Sequence, residues 1–157
     1  MGLDMYLSVV KDVSGYKHRD VVEQAEYVKV LDSMDLSDVD VCDDVPSAKV
    51  TLTVAYWRKS NAIHKWFVEN CQDGVDECQS SYVERKQLQE LAETCQQVLE
   101  NPEKSNELLP TGDGFFFGSS EYDDYYREDI RNTAITLRRI LKNPKFDGFS
   151  FEYRASW

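Results

Sequence analysis

Hydrophobic and polar positions alternate from the start of the chain. Leu3, Met5, Leu7 and Val9 fall on one side and Asp4, Tyr6, Ser8 and Val10 on the other, so a period of two predicts a strand over 3–10, closed by Ser14-Gly15. Over 19–34 the period lengthens: Val21, Val22, Ala25, Val28 and Leu31 recur at three and four, which predicts a helix, with strand as the rival over 27–31. The segment AKVTLTVAYW at 48–57 sets Val50, Leu52, Val54 and Tyr56 against Thr51, Thr53, Ala55 and Trp57, and its β-branched density marks the clearest strand. Helical spacing returns over 58–71 through Ala62, Ile63, Trp66, Phe67 and Asn70, with Gln72-Asp73-Gly74 as its stop.

A longer helix follows over 84–100, built on Leu88, Leu91, Cys95, Val98 and Leu99 and ended by Pro102, with Tyr82-Val83 before it as a short edge strand. Ser120 followed by Asp123 reads as a capping box opening the next helix, whose inner face would hold Tyr122, Tyr126, Ile130, Thr133 or Ala134, Leu137 and Leu141. Acids Glu121, Asp123 and Asp124 at its start and Arg138, Arg139 and Lys142 at its end match the helix dipole. Phe149, Phe151, Tyr153 and Ala155 alternate with polar residues in a closing strand within 146–157. The order β-α-β-α-(β)-α-α-β predicts an α+β fold: one domain over 1–157, with a mainly antiparallel sheet of three or four strands and about four helices packed on it.

Charge sharpens this picture. The 157 residues carry 29 Asp+Glu against 18 Lys+Arg, a net charge of −11, which argues against broad nucleic-acid binding and against an anionic membrane surface. The acids cluster: the loop over 32–47, ending at Pro46-Ser47, holds six aspartates and no base within 32–44, and it lacks the Gly and Glu positions of a calcium loop. No apolar run approaches the roughly 20 residues of a membrane span. The start has an early acid and no basic segment, unlike a signal peptide, so Cys42, Cys71, Cys78 and Cys95 are expected to be free cytosolic thiols. Their spacing is not that of a zinc site.

Two segments carry candidate chemistry. At 56–67 a strand feeds directly into a helix, and Arg58, Lys59 and Lys65 make this junction locally basic in an acidic chain. A helix N-terminus beside two bases suits an anion such as a phosphate: Arg58 and Lys59 would neutralise it, Asn61 and His64 would hydrogen-bond, and Tyr56 or Trp57 would stack on a base. The plainer alternative makes Tyr56, Ile63, Trp66 and Phe67 core and the charges a solvated helix face. The second segment, TGDGFFFGSS at 111–120, brackets three aromatics with glycines and runs into a helix, so Phe116, Gly118 and Ser119 would complete the pocket; the alternative tucks the Phe side chains into the core. His64 and Cys71 stand seven apart on one helix face, a weak nucleophile pair. No phosphate-loop, dinucleotide, metalloprotease or serine-hydrolase motif occurs, so no cofactor, no metal and no catalytic residue is expected.

The runs MGLDMYL at 1–7, AYWRKSNAIHKWFVENCQDGVDEC at 55–78, LLPTGDGFFFGSSEYDDYY at 108–126 and YRASW at 153–157 resemble a family of small bacteriophage and prophage proteins. The resemblance implies a gene of phage origin acting in the bacterial host cytoplasm; it does not imply an enzyme, and no catalytic residue is carried over from it. Such accessory proteins often counter host defences. A non-catalytic protein binding a small anionic, nucleotide-like ligand is therefore the leading expectation. The alternatives are an acidic inhibitor or DNA mimic docking on a basic host protein, and a phage morphogenesis accessory.

Overall fold

The elements run β1 (Asp4–Ser14), α1 (Val21–Ser33), β2 (Ser47–Arg58), α2 (Asn61–Cys71), β3 (Ser80–Val83), α3 (Arg85–Glu100), α4 (Ser105–Leu108), α5 (Asp124–Lys142) and β4 (Ser150–Ser156) in the computed structural model. It describes residues 2–38, 46–112, 114 and 117–157. The strands form one antiparallel sheet in the order β2-β1-β4-β3, an α+β architecture. β3 and β4 pair antiparallel, with Ser81 opposite Tyr153 and Val83 opposite Phe151. The chain divides into two compact units, residues 1–9 with 53–157 and residues 10–52, whose boundaries fall inside β1 and β2.

The larger unit is built on one face of its strands. Leu3, Met5, Leu7 and Val9 of β1, Ala55 and Trp57 of β2, Val83 of β3 and Phe151, Tyr153 and Ala155 of β4 all enter the core. Alternation sends Tyr6, Tyr56 and Tyr82 outward, and on β2 it is Ala55 and Trp57 that enter the core, with Val54 partly buried against it. Ala62, Ile63 and Phe67 of α2, Leu88, Leu91, Ala92, Cys95 and Val98 of α3, and Tyr126, Ile130, Ala134, Leu137 and Ile140 of α5 close over that face. Helices α3 and α5 pack most extensively on each other. Trp57 is fixed across this core, since its Nε1 donates to Thr133 Oγ1 at 2.8 Å. Trp57→Phe should therefore cost about 1–2 kcal/mol, read from the urea midpoint, because a buried hydroxyl loses its donor.

Helix ends follow local chemistry. α2 stops where expected: Gly74, at φ +76°, donates its N–H to Val68 O at 2.9 Å. Gln87 Oε1 accepts from Glu84 N at 2.8 Å, half of a capping box at the start of α3. The expected Ser120 cap is corrected: α5 begins at Asp124, and Asp123 Oδ1 caps it by accepting from Tyr126 N at 3.0 Å. The Ser120 carbonyl instead accepts from Thr111 Oγ1, which keeps residues 118–122 as loop. Beyond α3, Pro102 opens a single 3-10 turn that runs into α4.

In the smaller unit, α1 forms as expected, with Asp20 Oδ1 accepting from Val22 N at 2.7 Å. Its predicted apolar face is not core: Val21, Val22 and Val28 are exposed, and Tyr27 is the buried residue of the helix. Gly15 accounts for the role of Tyr27, because a Cβ on Gly15 would lie 2.4 Å from the Tyr27 ring, and the Gly15 N–H donates to Pro46 O at 2.7 Å. The acidic loop begins later than expected, since α1 continues to Ser33, and its 39–45 stretch, with Cys42, lies outside the described residues.

Candidate functional site

The sharp passage from β2 into α2 sets up the site. Lys59 takes a left-handed conformation, φ 57°, and its N–H donates to Leu3 O at 2.7 Å. A non-glycine residue held this way stores strain of order 1 kcal/mol, and such positions concentrate at ligand sites. The turn drops the chain into α2 with Ser60 at the N-cap, yet the Ser60 side chain does not cap the helix. The amides of Asn61, Ala62 and Ile63 have no carbonyl within the helix to serve, and they concentrate its positive dipole end.

A cavity of about 320 Å³ opens at this helix end, within the size range of small-molecule sites. It is lined by Arg58, Lys59, Ser60, Asn61 and Ala62 from the junction and by Gly118, Ser119, Glu121, Asp123, Tyr125, Tyr126, Asp129 and Ile130 from the following loop and α5. Arg58 and Lys59 are exposed and form no salt bridge among the described residues. Ser60 is only 2% exposed, and its Oγ meets no partner at full hydrogen-bond geometry. It lies close enough to the Asp129 carboxyl to hold that group's pKa down, against the larger effect of burial, which raises it.

Asn61 fixes the loop that lines the cavity beside it. Its Nδ2 donates to Phe117 O at 3.2 Å and to Ser119 O at 2.7 Å, while its Oδ1 accepts from Gly112 N at 3.2 Å. One buried amide thus clamps both ends of the glycine-bracketed loop onto α2. Gly118 sits at φ +91°, and a Cβ there would come within 3.2 Å of Lys59 Cβ and Lys59 O. Gly118→Ala should cost about 1–2 kcal/mol from the left-handed backbone and push the loop off Lys59. A thermal melt reads the first effect, and loss of ligand affinity the second.

The sequence-predicted residues part into groups. Arg58, Lys59, Asn61, Gly118 and Ser119 come together around the cavity. Trp57 is core, because the alternation of β2 turns it inward. Tyr56 points outward, where its OH donates to Asp4 Oδ1 and its ring lies 5.4 Å from Tyr6; that hydrogen bond raises its pKa. Phe116 lies outside the described residues. His64 is buried and does not line the cavity. Its Nε2 donates to Asp76 Oδ2 at 2.9 Å, which leaves Nδ1 to accept from Tyr153 OH at 2.7 Å. Trp157 Nε1 donates to the other Asp76 oxygen at 3.1 Å, so His64 ties α2, β4, the 72–79 loop and the last residue together.

Both His64 nitrogens are therefore occupied, by Tyr153 and Asp76. Burial, seconded by the Glu84 charge, pushes the Cys71 thiol up to about 12, and burial does the same to Cys95. Neither supplies a thiolate at neutral pH. Cys71, Cys78 and Cys95 are free thiols. Among the described residues no cluster of three His, Cys, Asp or Glu is placed to hold a metal, and no helix is long and apolar enough to cross a membrane.

Sequence reasoning missed Ser60 and the α5 side of the cavity. Burial pushes the Tyr126 phenol up to about 12, and its OH donates to Leu109 O at 2.9 Å, so this hydroxyl serves the fold. Asp129 was detectable: it stands three after Tyr126 and four before Thr133, an acid at the spacing of the buried stripe. Against known proteins, the chain matches no family model, no curated protein and no solved structure.

Proposed function

We propose that this chain is a non-catalytic binding protein, of phage origin and acting in the bacterial cytoplasm against a host defence, whose cavity at the start of α2 takes a small anionic, nucleotide-like ligand. One observation carries the ligand class: an uncapped helix N-terminus, flanked by Arg58 and Lys59, which form no ion pair among the described residues, opens into a cavity that the buried Ser60 also lines. Amide donors, two cations and a hydroxyl converging on one space are the elements that hold a phosphate. The engaged His64 and the un-ionised Cys71 favour binding over turnover.

Thermal unfolding of the full chain with AMP tests this. A ligand bound to the folded state alone adds about 2.7 kcal/mol at roughly 100 times its Kd, a shift of several degrees for a chain of this size. The shift should saturate with AMP and vanish in the Arg58→Ala/Lys59→Ala double variant, whose exposed side chains contribute little to the fold. Absence of a shift with the wild-type chain, or an equal shift in the variant, overturns the reading.

A further inference from the structure

The two edges of the sheet are built differently. The order β2-β1-β4-β3 leaves β2 and β3 with one strand neighbour each among the described residues. An edge strand offers its unpaired backbone N–H and C=O groups to any other chain, and proteins guard such edges with shortness, charge or proline. β3 is guarded by shortness, since it has only 4 residues. β2 is not. It runs 12 residues, SAKVTLTVAYWR, with no proline and no acid, and its charges are Lys49 and Arg58 near its two ends. Lys49, Val50, Thr51 and Leu52 are exposed in succession, so neither side of the strand is covered there. Val50 and Leu52 are 44% and 60% exposed.

A copy of the chain is present wherever the chain is, so an unguarded edge meets itself first. β2 laid on β3 of the next copy would propagate into a fibre, and the short β3 gives that route little to pair with. β2 laid on β2 closes. We infer that two copies of this chain pair antiparallel about a twofold axis at Thr51, through the open edge of β2, with Val50 of each copy opposite Leu52 of the other. An antiparallel edge is complementary to itself, because each residue's donor and acceptor meet those of its symmetry mate. This register sets apolar side chains opposite one another on one side of the strand and a threonine pair on the other, both favourable cross-strand combinations. The joined sheet ends on two short β3 strands. Charge selects the same place: a chain of net charge −11 repels its copy, and β2 brings no carboxylate to the contact. The pairing is independent of the cavity and of the ligand reading above.

Sedimentation equilibrium of the full chain, from micromolar to near-millimolar concentration, tests this. The mass should rise from one chain to two and stop there. Thr51→Glu places two carboxylates opposite each other at the axis, and Leu52→Glu, on the other side of the strand, sets a charge against Val50. Each should weaken the dimer about tenfold or more. Both positions are exposed, so both variants should keep the wild-type circular dichroism spectrum. Tyr82→Glu, exposed on β3, should leave the dimer unchanged. Added salt should tighten association, because it screens the repulsion between two acidic chains. A chain that stays monomeric throughout, or a mass beyond two chains, overturns the inference. So does a dimer that survives both glutamate variants. Loss in one variant alone means packing by one face of the strand, which overturns edge pairing as well.

Discussion

Phe67→Ala is expected to lower stability by about 3–5 kcal/mol, the range for truncating a buried aromatic side chain. Phe67 is fully buried and lies flat on Tyr153, with ring centroids 4.0 Å apart and planes 9° from parallel. Trp57 of β2 and Trp66 of α2 lie 5.9 Å and 5.4 Å from it, so through Tyr153 and Trp57 it joins α2 to the sheet by two rings. The neighbours cannot move in to fill the space. Tyr153 is held through its hydroxyl by His64, and Trp57 through its indole by Thr133. A cavity that cannot collapse costs the lost transfer free energy and the lost contacts together. Urea unfolding should show a much lower midpoint with an unchanged m-value. A loss under about 1 kcal/mol would mean that the ring stack does not anchor α2.

Asn61→Ala is expected to cost about 2–3 kcal/mol and to damage the cavity more than the fold. The substitution strands Gly112 N, Phe117 O and Ser119 O, and each buried group left without a partner costs about 1–3 kcal/mol, less where water reaches it. Residues 112–119 would then lose their fixed distance from α2, and with it the Gly118-Ser119 wall. Asn61→Asp should be worse than alanine. It keeps the bond from Gly112 N but sets a carboxylate oxygen against the two carbonyls that now receive Nδ2. Hydrogen exchange at Gly112 and the AMP-induced melting shift read the two effects separately. Normal exchange together with normal ligand affinity would remove Asn61 from its positioning role.

Asn61 also shows why the sequence disclosed the place of the site better than its parts. Periodicity located β1, β2, α2, α3, α5 and β4 within a few residues, because each has one strongly apolar face and a core large enough to demand it. The strand–helix junction and the glycine loop both stood out and do meet at one cavity. The roles within it were a different matter. Asn61 and His64 are polar residues on a helix beside a basic turn, which reads as ligand contact, yet their hydrogen bonds go to partners 12 to 89 positions away in the chain. Such pairings are set by tertiary packing and leave no local pattern. Trp57 was ambiguous for a related reason: strand alternation defines two faces, and nothing local says that Trp57 rather than Tyr56 enters the core. Helix α1 failed differently, since its valines follow helical spacing and remain exposed. Spacing alone predicts that a helix forms, not that its apolar side is covered.

The acids lining the cavity change how the net charge of −11 bears on function. An anionic ligand must approach an acidic protein, and the local cations with the α2 amides make that approach favourable only over a short range, about the Debye length of 10 Å or less at moderate salt. Affinity should therefore fall with increasing salt, and large polyanions should be excluded.

Amide chemical-shift mapping during an AMP titration tests the site most directly. Saturable shifts should centre on the amides of Ser60, Asn61, Ala62, Gly118 and Ser119, and the Arg58→Ala/Lys59→Ala variant should lose them at the same AMP concentrations. No shifts at millimolar AMP, or shifts confined to residues away from the start of α2, would contradict a ligand site there.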